Sequence, residues 1–159
     1  MVFFSLSYNI SDHKITTMAL KIIDYDSKEY WKMVELRNEI LRKPLGMTLN
    51  EQDIQADKDH ILIGAFDDDE LLGCCILVRG QEGSAILRQM AVRSQLQGKG
   101  IGRALIEFAE TIARDSGYSE IAMDARASAV GFYEKMGYRP CSEPFEKVSI
   151  PHVLMKKRI

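Results

Sequence analysis

Three glycines alternate in the stretch "VRSQLQGKGIGRALIEFAE", at Gly98, Gly100 and Gly102, between an apolar run that reads as a strand and a run that reads as an amphipathic helix. At such a junction the first N–H groups of the helix have no intrahelical acceptor and carry the positive end of the helix dipole, which makes a ready anion site. Phosphate is the natural occupant. The dinucleotide fingerprint GxGxxG requires glycine at position 103, where Arg103 stands, and the nucleotide P-loop requires a longer loop with Ser or Thr after Gly-Lys; neither is met. Spacing alone leaves two readings open, a phosphate cradle and a tight strand-to-helix turn that glycine makes comfortably. Lys99 and Arg103 add charge in the first reading and are ordinary solvated helix-start residues in the second.

Other residues with chemical capacity interrupt apolar patterns. Arg37 and Gln89 do so in a helix-like and a strand-like run, and on that ground each points toward a substrate pocket; Arg37 fits equally as the partner of a carboxylate at the core edge. His152, in "IPHVLMKK", can accept a proton near neutral pH, although a single strand histidine also serves structure. Glu143 and Glu146 before it can bind a cation or face water. His13 and His60 lack companions at metal-ligand spacing, so no metal site is expected. Cys74 and Cys75 read as small core residues of an apolar strand rather than as nucleophiles.

These residues need elements to position them. A strand at "ALKIIDY" is followed by a helix capped by Asp26 or Ser27 and running to about Arg42, where "KPLG" stops it, with Tyr30, Met33, Val34 and Leu41 toward the core. "HILIGAF" and "LLGCCILV" read as strands joined by the polar turn "DDDE", an antiparallel hairpin, and "SAILRQMAV" as the next strand. Ile101, Leu105, Phe108, Ala109 and Ile112 then recur at helical spacing up to a stop at Gly117. A strand "EIAMDA", a helix "SAVGFYEKMG" and strands around "YRPC" and "HVLMKK" complete a mixed α/β order, helices covering a largely antiparallel sheet.

The chain of 159 residues has the length of one ordinary domain. Lys and Arg number 21 against 23 Asp and Glu and form no basic block, so nucleic acid is not expected as a partner. Three cysteines without CxxC spacing signal neither a disulfide framework nor zinc, and a reducing cytoplasm fits them. The opening "MVFFSLSYNISDHKITT" has no basic region and no sustained apolar core, unlike a secretory signal, and no segment is expected to span a membrane. Residues 1–17 read as a loosely attached extension before a domain over 18–159.

The run "MAV", a short spacer and "QGKGIGRALI" resembles motif A of the GNAT superfamily of acetyl-CoA-dependent N-acetyltransferases: Gln97, Gly100 and Gly102 satisfy its Gln/Arg-x-x-Gly-x-Gly/Ala pattern. "AVGFYEKMGY" resembles motif B, and two motifs in the right order are more specific than either alone. The resemblance covers residue 18 to the end. One departure stands out: Arg126 occupies the position, seven before the tyrosine, where many members carry Asn.

The resemblance implies the GNAT fold, with two central strands splayed apart, and an acetyl-CoA co-substrate. Its pyrophosphate would lie on Gln97, Gly98, Lys99, Gly100, Ile101, Gly102 and Arg103, and its pantetheine arm along Met90, Ala91 and Val92. It further implies Tyr133 as the proton donor to the departing thiolate, although Phe132 and Tyr133 also fit as two aromatic core residues of a helix. The Met90 N–H is suited to the oxyanion of the tetrahedral intermediate. Arg37, Gln89 and His152 would border the acceptor, a small-molecule or peptide amine. The expected activity is direct transfer of acetyl to that amine, with a silent CoA-binding sensor or scaffold, or a module for another nucleotide, as alternatives. Dimers are common in the family, but no exposed apolar strip marks an interface.

Overall fold

The computed structural model describes residues 2–4 and 18–159. Of the stretch read as an extension, Val2–Phe4 forms strand β1, paired with the start of β2 (Met18–Ile23). The rest of that stretch, His13 included, lies outside the described residues.

Helix α1 (Lys28–Arg37) starts at Ser27, whose side chain accepts the Tyr30 N–H, and continues as a π-helical turn over Asn38–Arg42. The expected end at Arg42 is therefore reached, but with a change of hydrogen-bond spacing at Asn38. A short α2 (Glu51–Ala56) follows, then the strands β3 (Ile61–Asp67), β4 (Glu70–Arg79) and β5 (Ser84–Val92). Helix α3 (Ile101–Asp115), β6 (Glu120–Arg126), α4 (Val130–Lys135), β7 (Arg139–Pro140), β8 (Phe145–Lys147) and β9 (Ile150–Arg158) complete the chain.

Among the described residues the strands form one sheet in the order β1-β2-β3-β4-β5-β6-β9-β7, with β8 also pairing with β9. Every neighbouring pair is antiparallel except β5 and β6. Strands β3 and β4 are buried almost end to end because helices cover both faces, which explains their unbroken apolar runs. On one face Ile101, Leu105, Ile106, Phe108 and Ala109 of α3 pack with Tyr133 of α4 on Cys75, Leu77, Leu87 and Met123. On the other, Tyr30, Met33, Val34 and Leu36 of α1 pack on Leu62, Phe66, Cys74 and Ile76. Each large apolar side chain buried in this way contributes about 1.5–3 kcal/mol.

Two features shape the middle of the sheet. The parallel β5–β6 ladder has only the pairs Ser84–Glu120, Ala85–Ile121 and Ile86–Ala122, although both strands run on. Beyond Ile86 they part and leave a gap. Opposite it, the β4–β5 register passes from Ile76–Arg88 to Cys74–Ala91, so Gln89 and Met90 share the place facing Cys75. This is a β-bulge, and Gln89 takes the left-handed φ of 52°. A bulge bends and twists its strand, which turns the end of β5 away from β6.

Candidate active site

The glycine loop stands at the mouth of this gap. Gly98 and Gly100 both have positive φ, 78° and 88°, and Gly100 is the residue from which α3 starts. At Gly102 a Cβ would lie 3.4 Å from the tip of the Phe132 ring, an ordinary contact, which places α4 against the first turn of α3. Among the described residues, the backbone N–H groups of Gly98, Lys99, Gly100, Ile101 and Gly102 donate to no backbone or side-chain acceptor. Five consecutive unpaired donors at the positive end of a helix of 15 residues are the kind of backbone that can hold an anion. The Gln97 amide donates to the Val92 carbonyl at 3.2 Å and ties the loop back to the end of β5. Arg93 fastens the same corner to β4, its N–H to the Leu72 carbonyl and its Nε to that of Leu71. Arg103 pairs with Glu107 one turn along α3, while Lys99 is half-buried beside the loop.

Backbone alternation decides what the gap offers. The Arg93 N–H points at β4, so Ala91 does also, and Met90 and Val92 turn their N–H and C=O the other way. Val92 has its carbonyl taken by Gln97. Met90 presents a donor and an acceptor to the space where a neighbouring strand would lie.

Tyr133 reaches the α3 face of the same region from α4. It is buried, its ring meets Phe132 and Tyr138 edge-on at centroid distances of 5.1 and 6.0 Å, and its hydroxyl has no hydrogen-bond partner among the described residues. Burial, with a smaller contribution from Cys75, pushes this phenol up to about 12. Tyr133 is thus a neutral donor at any physiological pH.

The α1 face carries a buried polar network. Arg37 is fully buried; its Nη1 donates to Asp57 Oδ2 at 2.8 Å and its Nε to the Gln89 side-chain oxygen at 2.8 Å. The Tyr30 hydroxyl donates to the same Asp57 oxygen at 2.7 Å. Because Arg37 can only donate, it fixes the Gln89 amide with its oxygen inward and its NH2 outward. The sequence pointed to Arg37 and Gln89 as polar interruptions, but not to Asp57, whose place beside Arg37 follows only from the docking of the turn after α2.

His152 shares that face. Val153 and Met155 of β9, like Ile121, Met123 and Ala125 of β6, enter the core under α3, so His152, Asp124 and Arg126 lie on the opposite side. His152 sits directly across from Arg126, and its ring stacks on Phe145 at 6.1 Å. Its Nδ1 is 2.7 Å from the Ile150 carbonyl. A carbonyl only accepts, so Nδ1 is the donor in this contact, and in the neutral tautomer this selects the lone pair lies on Nε2. Asp124 pairs with Lys147, and Glu143 and Glu146 are exposed. Cys74 and Cys75 are wholly buried, and burial holds the Cys74 thiol at about 12 and raises that of Cys75 as well. Cys141 lies on the far side of β9, two strands from the gap. Among the described residues no cluster of His, Cys, Asp and Glu could hold a metal ion, and no helix is long and apolar enough to cross a membrane.

A family model described as an acetyltransferase (GNAT) domain matches residues 35–159. The chain is 32% identical over 117 residues to a Bacillus subtilis (strain 168) protein that bears the name of an acetyltransferase, a match covering 72% of this chain and 77% of that one. Among solved structures, an N-acetyltransferase by name from Lactobacillus plantarum superposes with a TM-score of 0.79 at 22% identity, over 88% of this chain and 98% of the other. An acetyltransferase of Bacillus subtilis in complex with CoA does so with a TM-score of 0.70 at 18% identity, over 90% and 99%.

Proposed function

This chain belongs to the GNAT acetyltransferase family, and from that premise we propose that it transfers the acetyl group of acetyl-CoA to a primary amine by direct attack within a ternary complex. The observation that carries this reading is the run of free N–H groups from Gly98 to Gly102 at the mouth of a gap bordered by an unpaired strand edge. The two parts suit the two halves of coenzyme A. The loop is a seat for the diphosphate, with Lys99 beside it, and the Met90–Val92 edge can pair with the amides of the pantetheine arm as a further strand would.

The amine enters from the α1 face, past Gln89, Arg126 and His152. An alkylammonium, with a pKa of about 10.4, must lose a proton before it can attack. His152 takes that proton on Nε2, the nitrogen its bond to Ile150 leaves free. The acetyl carbonyl oxygen, as it gains charge, is held by the Met90 N–H. Tyr133 faces the leaving sulfur. Its phenol, near 12, lies well above a thiol at about 8.5, so full proton transfer runs uphill and the hydroxyl acts chiefly by donating a hydrogen bond to the thiolate. Direct attack is favoured over an acyl-enzyme because Cys74 and Cys75 are sealed and protonated and Cys141 lies away from the gap.

The test is a screen of amine acceptors that follows CoA release, run beside Tyr133→Phe. Loss of the hydroxyl is expected to lower kcat by roughly 10–100-fold with KM for acetyl-CoA nearly unchanged. The wild type should show no alkaline loss assignable to Tyr133 below about pH 11, because its phenol stays protonated there. Turnover of the variant equal to that of the wild type, at neutral and at high pH alike, would remove the tyrosine from the mechanism. With the same acceptor, His152→Gln should lower kcat by roughly 100-fold at neutral pH and recover most of it as rising pH deprotonates the amine in solution. A pH profile parallel to that of the wild type would show that His152 accepts no proton.

A further inference from the structure

Gln89 holds a backbone conformation that glycine adopts readily and a glutamine does not, and it does so at the bulge that separates β5 from β6. A bulge gives room for such a residue but does not select glutamine for it. Across the sheet the Arg37 guanidinium, 2.8 Å from the Gln89 side-chain oxygen, is itself held by Asp57 at 2.8 Å. Asp57, 1% exposed, is in turn steadied by the Tyr30 hydroxyl. Three segments, α1, the turn after α2 and β5, thus converge through a buried charge pair on one amide group. Its neighbour in the chain is Met90, whose N–H faces the gap.

We propose that Arg37 and Gln89 are positioning residues for acetyl transfer: the Asp57-anchored guanidinium grips Gln89, sets the bulge, and so aims the Met90 N–H at the thioester carbonyl of the bound co-substrate. This rests on the acetyl-CoA reading above. The side chains do not touch the reacting atoms. Arg37 suits the task because a planar fork can hold a carboxylate on one edge and an amide oxygen on the other without rotating. A substrate-binding role for Arg37 itself is disfavoured, since the ion pair and Gln89 engage all three of its nitrogens and no part of it is exposed.

The test compares wild type, Gln89→Leu, which removes the gripped oxygen, and Gln89→Glu, which keeps it. Calorimetric titrations with CoA and with acetyl-CoA read the N–H directly, because only acetyl-CoA carries the thioester carbonyl. The wild type is expected to prefer acetyl-CoA by roughly three- to tenfold, the range of one net hydrogen bond. Gln89→Leu should lose that preference while its CoA affinity stays within about twofold, and Gln89→Glu should restore it. A preference kept by Gln89→Leu, CoA affinity lost in step with it, or a wild type indifferent to the acetyl group would each overturn the proposal.

If the wild type takes up neither ligand, the acetyl-CoA reading itself fails. The grip is then judged without ligand, by hydrogen exchange at the Ala91 amide, which faces β4. Faster exchange in Gln89→Leu, restored in Gln89→Glu, upholds the hold of Arg37 on the bulge, and unchanged exchange defeats it.

Discussion

Replacing Arg37 by methionine is expected to lower the free energy of unfolding by about 3–5 kcal/mol, the cost of breaking a buried ion pair from one side. Among the described residues, the remaining Asp57 carboxylate, 1% exposed, would keep only the Tyr30 hydroxyl as a side-chain donor. That loss is a large share of the roughly 5–15 kcal/mol by which such a domain is stable, and should bring the melting temperature down by about 10 °C. Urea titration of the purified variant checks it, and a change under about 1 kcal/mol would mean that the pair contributes little. The double variant Arg37→Met/Asp57→Leu separates structure from function. Removing both charges should recover most of the stability, because well-packed apolar replacements of buried pairs are often neutral. Gln89 would still lack its donor, so preference for acetyl-CoA over CoA should not return.

The second large effect is expected at Gly100, where φ is 88° and α3 begins. Valine is both β-branched and poorly tolerated in the left-handed region, at a cost of about 1–3 kcal/mol, which the loop can escape only by changing shape. Any such change scatters the five N–H groups proposed to seat the diphosphate. Gly100→Val should therefore weaken CoA by about 100-fold or more, the order expected when several charge-assisted hydrogen bonds are lost together. The α3 core contacts should remain, with only a modest drop in melting temperature. Calorimetry decides: CoA affinity within fivefold of wild type would mean that the diphosphate is not bound by this loop.

Much of the architecture was readable because it is written in local patterns. Apolar residues recurring at helical spacing mark α3 from Ile101 onward, and the unbroken runs of β3 and β4 follow from burial on both faces. The short α2 has no apolar periodicity to mark it, yet a start signal is present: Asn50 and Asp53 form a reciprocal cap, each side chain bonded to the other's backbone N–H. Strand β8 could not be seen, since three exposed residues carry no burial pattern and owe their conformation to β9. The same division holds in the site. The glycine loop and Tyr133 lie in contiguous motifs, whereas the Arg37–Asp57 contact joins residues 20 apart and the Arg37–Gln89 contact residues 52 apart. The left-handed glutamine was invisible because no local rule selects that residue for that backbone; tertiary contacts do.

The parting of β5 from β6 also bears on solubility. A stretch of main chain from Leu87 to Val92 without a partner strand on one side, had it lain on the rim, would invite other molecules to pair with it and aggregate. Here it is recessed between two halves of one sheet that meet again at Ile86. A strand edge closed off at one end by the Ser84–Ile86 ladder offers no open rim to a strand from another molecule, so the parting does not create the exposed edge through which sheets self-associate.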